Sequence, residues 1–440
     1  MPMIDRIKDF WAVRGVSRMS ADELRQLQER KLRRIVRHAY EQVPFYRERF
    51  RSAGIQPQDI RTLKDLQHIP VTTKRDLQIA GPEQTLAEGA DPKSCTILHT
   101  SGSTGTPLVI YVGRWERRIR SLVEMRTLRR IGFSVHDRLA SVGPHHARKP
   151  GLLTRLGIYQ TQIIPGMLPA ERQLERLRQF QPTVFWSYPT TMRAIYHTTG
   201  YRLRDFIRPR VMITSAEVLD ELLRAQVRED LGLDPYNFYG CLEIGRIAAE
   251  CPAREGLHVN VDHVILETWR GDRPAADGED GLTLVTGLNA RTMPFLRYEI
   301  GDRIVRLAQR CSCGSTLPLI GPPWGRADDL MVLPSGRRLP ALRCTLVLRH
   351  HLSILRFRII QEKVDQLTVL LVTRNPWEQG MIDELRRELL EQLGERLTIH
   401  IQCVDAIPDD KEKFRAFISL LPPQMIDHNR GPQLGKDIVQ

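Results

Sequence analysis

Leu98-His-Thr-Ser-Gly-Ser-Thr-Gly-Thr-Pro-Leu108 joins two short apolar runs, one ending at Leu98 and one over residues 109–112, through a loop of glycines and hydroxyl residues. Gly102 and Gly105 let the backbone turn through positive φ and approach a ligand closely, exposing N–H groups. Thr100, Ser101, Ser103, Thr104 and Thr106 add hydroxyl donors, and together these groups suit the oxygens of a polyphosphate. No Gly-Lys pair ends the loop and no helix opens there, so it is not a Walker A loop. A Gly/Ser linker is the plain alternative, but linkers are rarely this short or bracketed by strands.

Outward from the loop, short apolar runs at 94–98, 109–112, 139–142, 183–186 and 211–214 alternate with amphipathic helical stretches, the pattern of an α/β domain. Upstream, residues 20–50 repeat Leu24, Leu27, Leu32, Ile35 and Ala39 near the helical period, and Ser20 with Glu23 forms a capping-box signature. Packing of that apolar stripe on a larger body is favoured over adsorption of its basic face to a membrane surface. Downstream, short strands at 282–285 and 303–307 suggest a smaller β-rich element. Beyond Gly325 the register changes to a hairpin about Pro334-Ser335-Gly336, strands at 357–361 and 367–373, a helix at 376–393 and a strand at 397–404. The expected division is therefore a large domain over 1–326, a small α+β domain over 327–421, and a disordered tail over 422–440.

A chain of 440 residues with 41% hydrophobic content excludes general disorder and fibrous repeats. Lys plus Arg number 65 against 52 Asp plus Glu, a formal charge of +13. The arginines are scattered along helices, which argues against a specific nucleic-acid partner and for a solvated basic surface. Nothing resembles a signal peptide, and no stretch reaches the roughly 18 apolar residues of a membrane span, so a cytoplasmic protein is expected. Seven cysteines, an odd and sparse set, point to reduced thiols.

The Gly/hydroxyl loop resembles the phosphate-binding motif of the adenylate-forming superfamily of acyl-CoA synthetases and luciferases. Its surroundings are similar to the phenylacetate-CoA ligase branch, which includes coenzyme F390 synthetase and capsule-type relatives. His38-Ala-Tyr-Glu-Gln-Val-Pro-Phe-Tyr-Arg47 and Ile69-Pro-Val-Thr-Thr-Lys-Arg-Asp76 match segments of that branch, and the resemblance runs in order from about Arg33 to Leu420. It implies a large N-terminal adenylate-forming domain and a small mobile C-terminal domain.

Tyr236-Asn-Phe-Tyr-Gly-Cys-Leu-Glu243 resembles the family's Tyr-Gly-x-Thr-Glu motif, which implies that Tyr239 lies on the adenine and Glu243 binds Mg²⁺. Leu242 departs from that pattern, replacing a hydroxyl. Arg297-Tyr-Glu-Ile-Gly-Asp302 implies a ribose-binding role for Asp302. Gly325-Arg-Ala-Asp-Asp329 implies Arg326 near the ribose and α-phosphate, with Asp328 as the hinge. Ile407-Pro-Asp-Asp-Lys-Glu-Lys-Phe-Arg-Ala-Phe417 aligns Lys413 with the adenylation lysine, with Lys411 two residues away and Glu412 in place of the usual Gly. The acid pocket is implied around Tyr188, Ala216, Glu217, Phe238 and Gly240.

Cys251, His258, Cys311 and Cys313 form a Cys₃His set that suits tetrahedral Zn²⁺, with unliganded buried thiols as the equal alternative. The activity implied by the resemblance is ATP- and Mg²⁺-dependent activation of a carboxylic acid, aromatic in most of the branch, as an acyl-adenylate. Transfer to a thiol follows, CoA in most relatives. The alternatives are another acceptor, such as an amine or carrier thiol, and a non-catalytic basic nucleotide-binding relative.

Overall fold

The computed structural model describes residues 15–100, 107–143, 157–323, 330–351, 353–407 and 416–422. These fall into two compact units. The first takes in Met1–Thr268, Ala275–Ile300 and Ile304–Pro323, and the second Trp269–Pro274, Gly301–Arg303 and Trp324–Gln440.

Helix α1 (Ala21–Gln42) opens on the Ser20 cap: Glu23 N donates to Ser20 Oγ at 3.3 Å, and Ser20 N donates to Glu23 Oε2 at 2.7 Å. Leu24, Leu27, Leu32, Ile35, Val36 and Ala39 are all buried, so the apolar stripe is a packing face. Helix α2 (Pro44–Ser52) and helix α3 (Lys74–Thr85) follow, the latter capped by a reciprocal Thr73–Asp76 pair. Strands β1 (Thr96–His99) and β2 (Val109–Val112) then form an antiparallel hairpin. Thr100 closes its neck, donating N–H to Leu108 O at 3.1 Å while its Oγ1 accepts Leu108 N–H at 2.8 Å. The Gly/hydroxyl loop is thus held at both ends by one residue pair.

Helix α4 (Arg114–Arg130) leads into the alternation β3 (Arg138–Gly143), β4 (Gln160–Pro165), α5 (Ala170–Phe180), β5 (Val184–Ser187), α6 (Pro189–Thr198), β6 (Val211–Ser215), α7 (Glu221–Leu231) and β7 (Tyr236–Cys241). The five strands are parallel in the order β4-β3-β5-β6-β7. Because side chains alternate across a strand, Val184, Ile213 and Phe238 face Leu128 and Ile131 at the end of α4. Phe185 and Met212 face the opposite layer, with Leu177 of α5, Ile195 of α6 and Leu223 of α7. Strand β4 was not legible from its apolar content, since only Ile164 is fully buried in it, as befits a sheet edge.

At β7 the sheet changes character. Strand β8 (Gly245–Glu250) runs antiparallel to β7, and β9 (Leu257–Val259) antiparallel to β8. After β10 (Val264–Arg270), β11 (Arg273–Pro274), β12 (Asp280–Gly287) and β13 (Tyr298–Leu307), strand β14 (Leu319–Ile320) pairs with both β13 and β9. The 282–285 and 303–307 runs are therefore parts of this same sheet rather than a separate element.

In the second unit, β15 (Leu330–Val332) and β16 (Arg338–Pro340) form the expected hairpin. Helix α8 (Leu342–His350), strands β17 (Ile354–Lys363) and β18 (Gln366–Thr373), helix α9 (Gln379–Leu393), and strands β19 (Thr398–Cys403) and β20 (Phe417–Ser419) complete it. Its four-stranded sheet has the order β19-β18-β17-β20. Leu385, Leu389 and Leu393, spaced on one face of α9, are buried with Ile359, Val369 and Leu371. Gln361 is fully buried and ties the hairpin to the sheet, accepting Val332 N–H at 3.2 Å and donating to Val332 O at 2.7 Å. The boundary expected at 326/327 lies outside the described residues, as does the tail beyond Pro422.

Candidate active site and metal centre

Ligands of a parallel α/β sheet collect outside the carboxyl ends of its strands. Here those ends are Gly143, Pro165, Ser187, Ser215 and Cys241. The turn after Cys241 carries Glu243, and several groups fix it. A Cβ added to Gly240 would stand 2.3 Å from Gly245 O, so β7 and β8 close to this distance only with glycine at 240. Arg120, on the face of α4 turned to the sheet, donates Nη1 to Leu242 O at 2.8 Å and Nη2 to Glu243 O. Burial pulls its guanidinium below the usual arginine range, opposed by the charges of Cys241, Glu116 and Glu243.

Ile244 O, the next carbonyl, lies 2.8 Å from His263 Nε2, while His263 Nδ1 lies 3.0 Å from Asn289 Nδ2. A neutral imidazole protonated on Nε2 satisfies both contacts, and burial pushes the His263 pKa down to about 4. Asn289 Oδ1 in turn accepts from Lys31 Nζ at 3.3 Å, which links α1 to the turn. The Glu243 carboxylate is buried and accepts the Tyr298 hydroxyl at 3.0 Å. Three consecutive carbonyls and the side chain are held, leaving a carboxylate of fixed direction. Tyr239 is buried in one core cluster with Leu108, Ile110 and Val112, with Ile244 and with Tyr298. The strand leaving the Gly/hydroxyl loop, the motif tyrosine and the partner of Glu243 therefore share one core.

The other residues expected at the acid pocket lie on or just after β5, β6 and β7. Phe238 is buried, its ring 5.7 Å from that of Trp186 in an edge-to-face contact. Trp186 Nε1 donates to Ser215 Oγ at 2.8 Å. Glu217 serves local structure: its carboxylate accepts Thr190 N–H at 3.0 Å and Thr190 Oγ1 at 2.9 Å, capping α6. Tyr188 is half-buried, and its hydroxyl pKa is pushed up to about 12 by desolvation and by the Glu217 charge.

Ala216 has φ +67°, the left-handed region that favours glycine. Ala216→Gly is expected to raise the unfolding free energy by about 0.5–1 kcal/mol, the relieved strain exceeding the added chain entropy. Urea unfolding of the two proteins measures it, and a loss of stability would show that the Ala216 methyl makes a worthwhile contact.

Thr100 is buried at the neck of the loop, but Ser101, Gly102, Ser103, Thr104 and Gly105 lie outside the described residues. So do Arg326, Asp328, Lys411, Glu412 and Lys413. Asp302 is half-buried on β13 and falls in the second compact unit with Gly301 and Arg303.

Cys251, His258, Cys311 and Cys313 converge within the first unit, their ligand atoms all within 4.8 Å of one another. Cys251 Sγ and Cys311 Sγ are 3.5 Å apart, too far for a disulfide, and Cys313 Sγ is 3.3 Å from His258 Nε2. A tetrahedral Zn²⁺ with Zn–S bonds of about 2.3 Å would separate its ligand atoms by roughly 3.5–3.8 Å, so the donor set fits the ion. His258 Nδ1 lies 3.3 Å from Leu317 O, which turns Nε2 toward the thiols.

The family model described as the CapK C-terminal domain matches residues 344–419, inside the second unit. The phenylacetate-coenzyme A ligase of Escherichia coli (strain K12) is 30% identical over 353 residues, covering 76% of this chain and 78% of that protein. The chain belongs to the phenylacetate-CoA ligase family. Another family member, the phenylacetate-coenzyme A ligase of Thermus thermophilus, is 28% identical over 434 residues, 94% of this chain and 96% of that protein. The crystal structure of 2-hydroxyisobutyryl-CoA ligase in the postadenylation state with R3-HIB-AMP superposes with a TM-score of 0.77 at 19% identity, covering 92% of this chain and 91% of that one. The adenylate-forming ligase fold expected from the motifs is the fold observed.

Sequence reasoning passed over Arg120, His263 and Tyr298. Tyr298 sits inside the motif quoted for Asp302, one residue after Arg297. Arg120 and His263 carried no motif, and their partners are more than a hundred and about twenty residues away respectively.

Proposed function

We propose that this protein is an ATP-dependent, AMP-forming acid–CoA ligase. The observation that carries the reading is the fixed Glu243 carboxylate at the carboxyl end of the parallel sheet, in a chain whose family members are named phenylacetate-CoA ligases. In the first half-reaction an acid carboxylate attacks the α-phosphorus of ATP in line, pyrophosphate departs, and an acyl-adenylate forms. The acid is already ionised at neutral pH, so no strong base is required and the protein contributes alignment and charge. The loop from Thr100 to Gly105 holds the phosphates, Tyr239 lies on the adenine, and Asp302 and Arg326 hold the ribose and α-phosphate. Lys413 faces the charge that builds on the α-phosphoryl group. Glu243 would hold Mg²⁺, which would supply positive charge to offset that of the phosphates.

In the second half-reaction the CoA thiol adds to the adenylate carbonyl and AMP leaves, giving the thioester. The small domain turns about Asp328 between the two steps. The 2-hydroxyisobutyryl-CoA ligase structure, bound to an acyl-AMP, supports an adenylate intermediate on this fold. The location assigned to the protein is the cytoplasm, a reading supported by its seven free cysteines. No described helix is long and apolar enough to cross a membrane.

Carboxylate-dependent ATP–pyrophosphate exchange across aryl, short-chain and hydroxy acids tests the first half-reaction. Exchange with at least one acid is expected. Its absence across the panel, with ATP still bound, would leave only the non-catalytic reading.

Structural Zn²⁺ belongs to the same proposal, held by Cys251, His258, Cys311 and Cys313. It would pin the end of β8 to β9 and to the loop before β14. Purified protein is expected to contain about one zinc per chain. Cys251→Ser should lose it and lower Tm by about 5 °C or more. Metal analysis and a thermal scan check both, and a metal-free protein of unchanged Tm would make the cluster a set of plain buried thiols.

A further inference from the structure

The grip on the Glu243 turn has two arms, and one buried carboxylate joins them. Glu116, in the first turn of α4, is only 6% exposed. Its Oε1 accepts the N–H groups of Arg291 and Thr292 at 3.0 and 2.8 Å, and the Thr292 hydroxyl at 2.8 Å. A Cβ added to Gly113 would stand 2.4 Å from both Glu116 Oε2 and Thr292 Oγ1, so the two side chains close over the start of α4 only with glycine there. The segment that Glu116 holds begins two residues after Asn289, which contacts His263 Nδ1, and His263 in turn holds the carbonyl of Ile244. One turn along α4 stands Arg120, whose guanidinium holds the carbonyls of Leu242 and Glu243. Glu116, Arg120, Ile244, His263 and Asn289 all line one cavity of about 10 Å³. Burial works against the charge of Arg120, and the Glu116 charge is among those that oppose it. A neutral amide oxygen could accept the same donors from Arg291 and Thr292, so the negative charge bears on Arg120.

We propose that Glu116 is a positioning residue for the adenylation step, acting on Glu243 through both arms. One arm runs through Arg120 to the carbonyls of residues 242 and 243. The other runs through the segment holding Asn289, and through His263, to the carbonyl of residue 244. The inference rests on the acid–CoA ligase reading and adds a residue to it. Glu116 itself touches no substrate. Without its charge the buried guanidinium loses a counter-charge, the turn loosens, and the Glu243 carboxylate is no longer held in one direction. The cost falls on the step in which that carboxylate meets the nucleotide and its Mg²⁺.

Glu116→Gln keeps an oxygen for the Arg291 and Thr292 donors and removes the charge. It is expected to slow ATP–pyrophosphate exchange by about 10-fold. In a Glu243→Gln background the same substitution should add less than about 2-fold, because its effect passes through the carboxylate already lost. Calorimetric titration with ATP, in Mg²⁺ and in EDTA, gives a readout apart from turnover. The gain in affinity that Mg²⁺ brings should fall by about 5-fold or more in Glu116→Gln, while ATP binding in EDTA stays within about 2-fold of the parent. Thr292→Val, which removes the hydroxyl donor to Oε1, should show the same pattern at about 3-fold, and it carries the test should Glu116→Gln fold poorly. Losses that multiply in the double variant, an equal fall in ATP affinity with and without Mg²⁺, or exchange at the parent rate would make Glu116 a plain staple between α4 and its neighbours. Each would overturn the proposal while leaving the ligase reading intact. Absence of exchange with every acid of the panel would remove the ligase reading itself and this inference with it.

Discussion

Replacing Glu243 by Gln is expected to slow carboxylate-dependent ATP–pyrophosphate exchange by about 10²–10³-fold, and no increase in Mg²⁺ should restore the full rate. The substitution removes a charge and little else. The new amide oxygen can still accept the Tyr298 hydroxyl, now received by Glu243 Oε1 at 3.0 Å. Arg120 and His263 grip the turn through the carbonyls of residues 242, 243 and 244, which the substitution does not touch. Thermal unfolding should therefore stay close to that of the parent while turnover collapses. Tyr298→Phe gives the graded comparison: the carboxylate remains but loses the hydroxyl that anchors it, and a loss nearer 10-fold is expected, about the worth of one hydrogen bond to a charged group. Steady-state exchange at several Mg²⁺ concentrations, with a thermal scan of each variant, separates a lost charge from a lost fold. A Glu243→Gln protein that exchanges at the parent rate would take Glu243 out of the nucleotide site.

Lys413→Ala is expected to cost a similar factor, about 10²–10³, but in the first half-reaction alone. Negative charge builds on the α-phosphoryl group as the carboxylate attacks and pyrophosphate departs, and a lysine facing those oxygens is most useful there. Thioester formation from a supplied acyl-adenylate and CoA makes no such demand. The variant should therefore convert acyl-adenylate to thioester at close to the parent rate while failing to make it from ATP. Lys411→Ala decides between the two lysines of Asp410-Lys-Glu-Lys413, because the sequence places both within reach of the motif. If Lys411→Ala carries the loss and Lys413→Ala does not, the motif alignment shifts by two residues.

The α/β plan was legible because its signals are local. Ser20 with Glu23 announced α1, and the apolar runs at 139–142, 183–186 and 211–214 are β3, β5 and β6. The 376–393 helix begins at Gln379 instead, after the extended Glu378. Most of what positions the site was not legible. Arg120 reads as one arginine among many on α4, and only the folded chain puts it under the carbonyls of Leu242 and Glu243, more than a hundred residues on. Glu217 looked like a pocket residue and in the structure caps α6 through Thr190, an interaction between a strand end and a helix start that no periodicity encodes. The four metal-ligand candidates were found by residue chemistry. Their convergence depends on β14 pairing with β9, which brings the loop after Cys313 alongside His258.

By this mechanism the chain joins an acid to AMP before it joins it to a thiol. Mass analysis of a single-turnover reaction with ATP, Mg²⁺ and an exchange-competent acid, first without and then with CoA, tests it directly. An enzyme-bound acyl-AMP and free pyrophosphate are expected in the first stage, then acyl-CoA and AMP once CoA is added. Thioester formed with ADP and phosphate, or ATP left intact with every acid that the pocket admits, would contradict it.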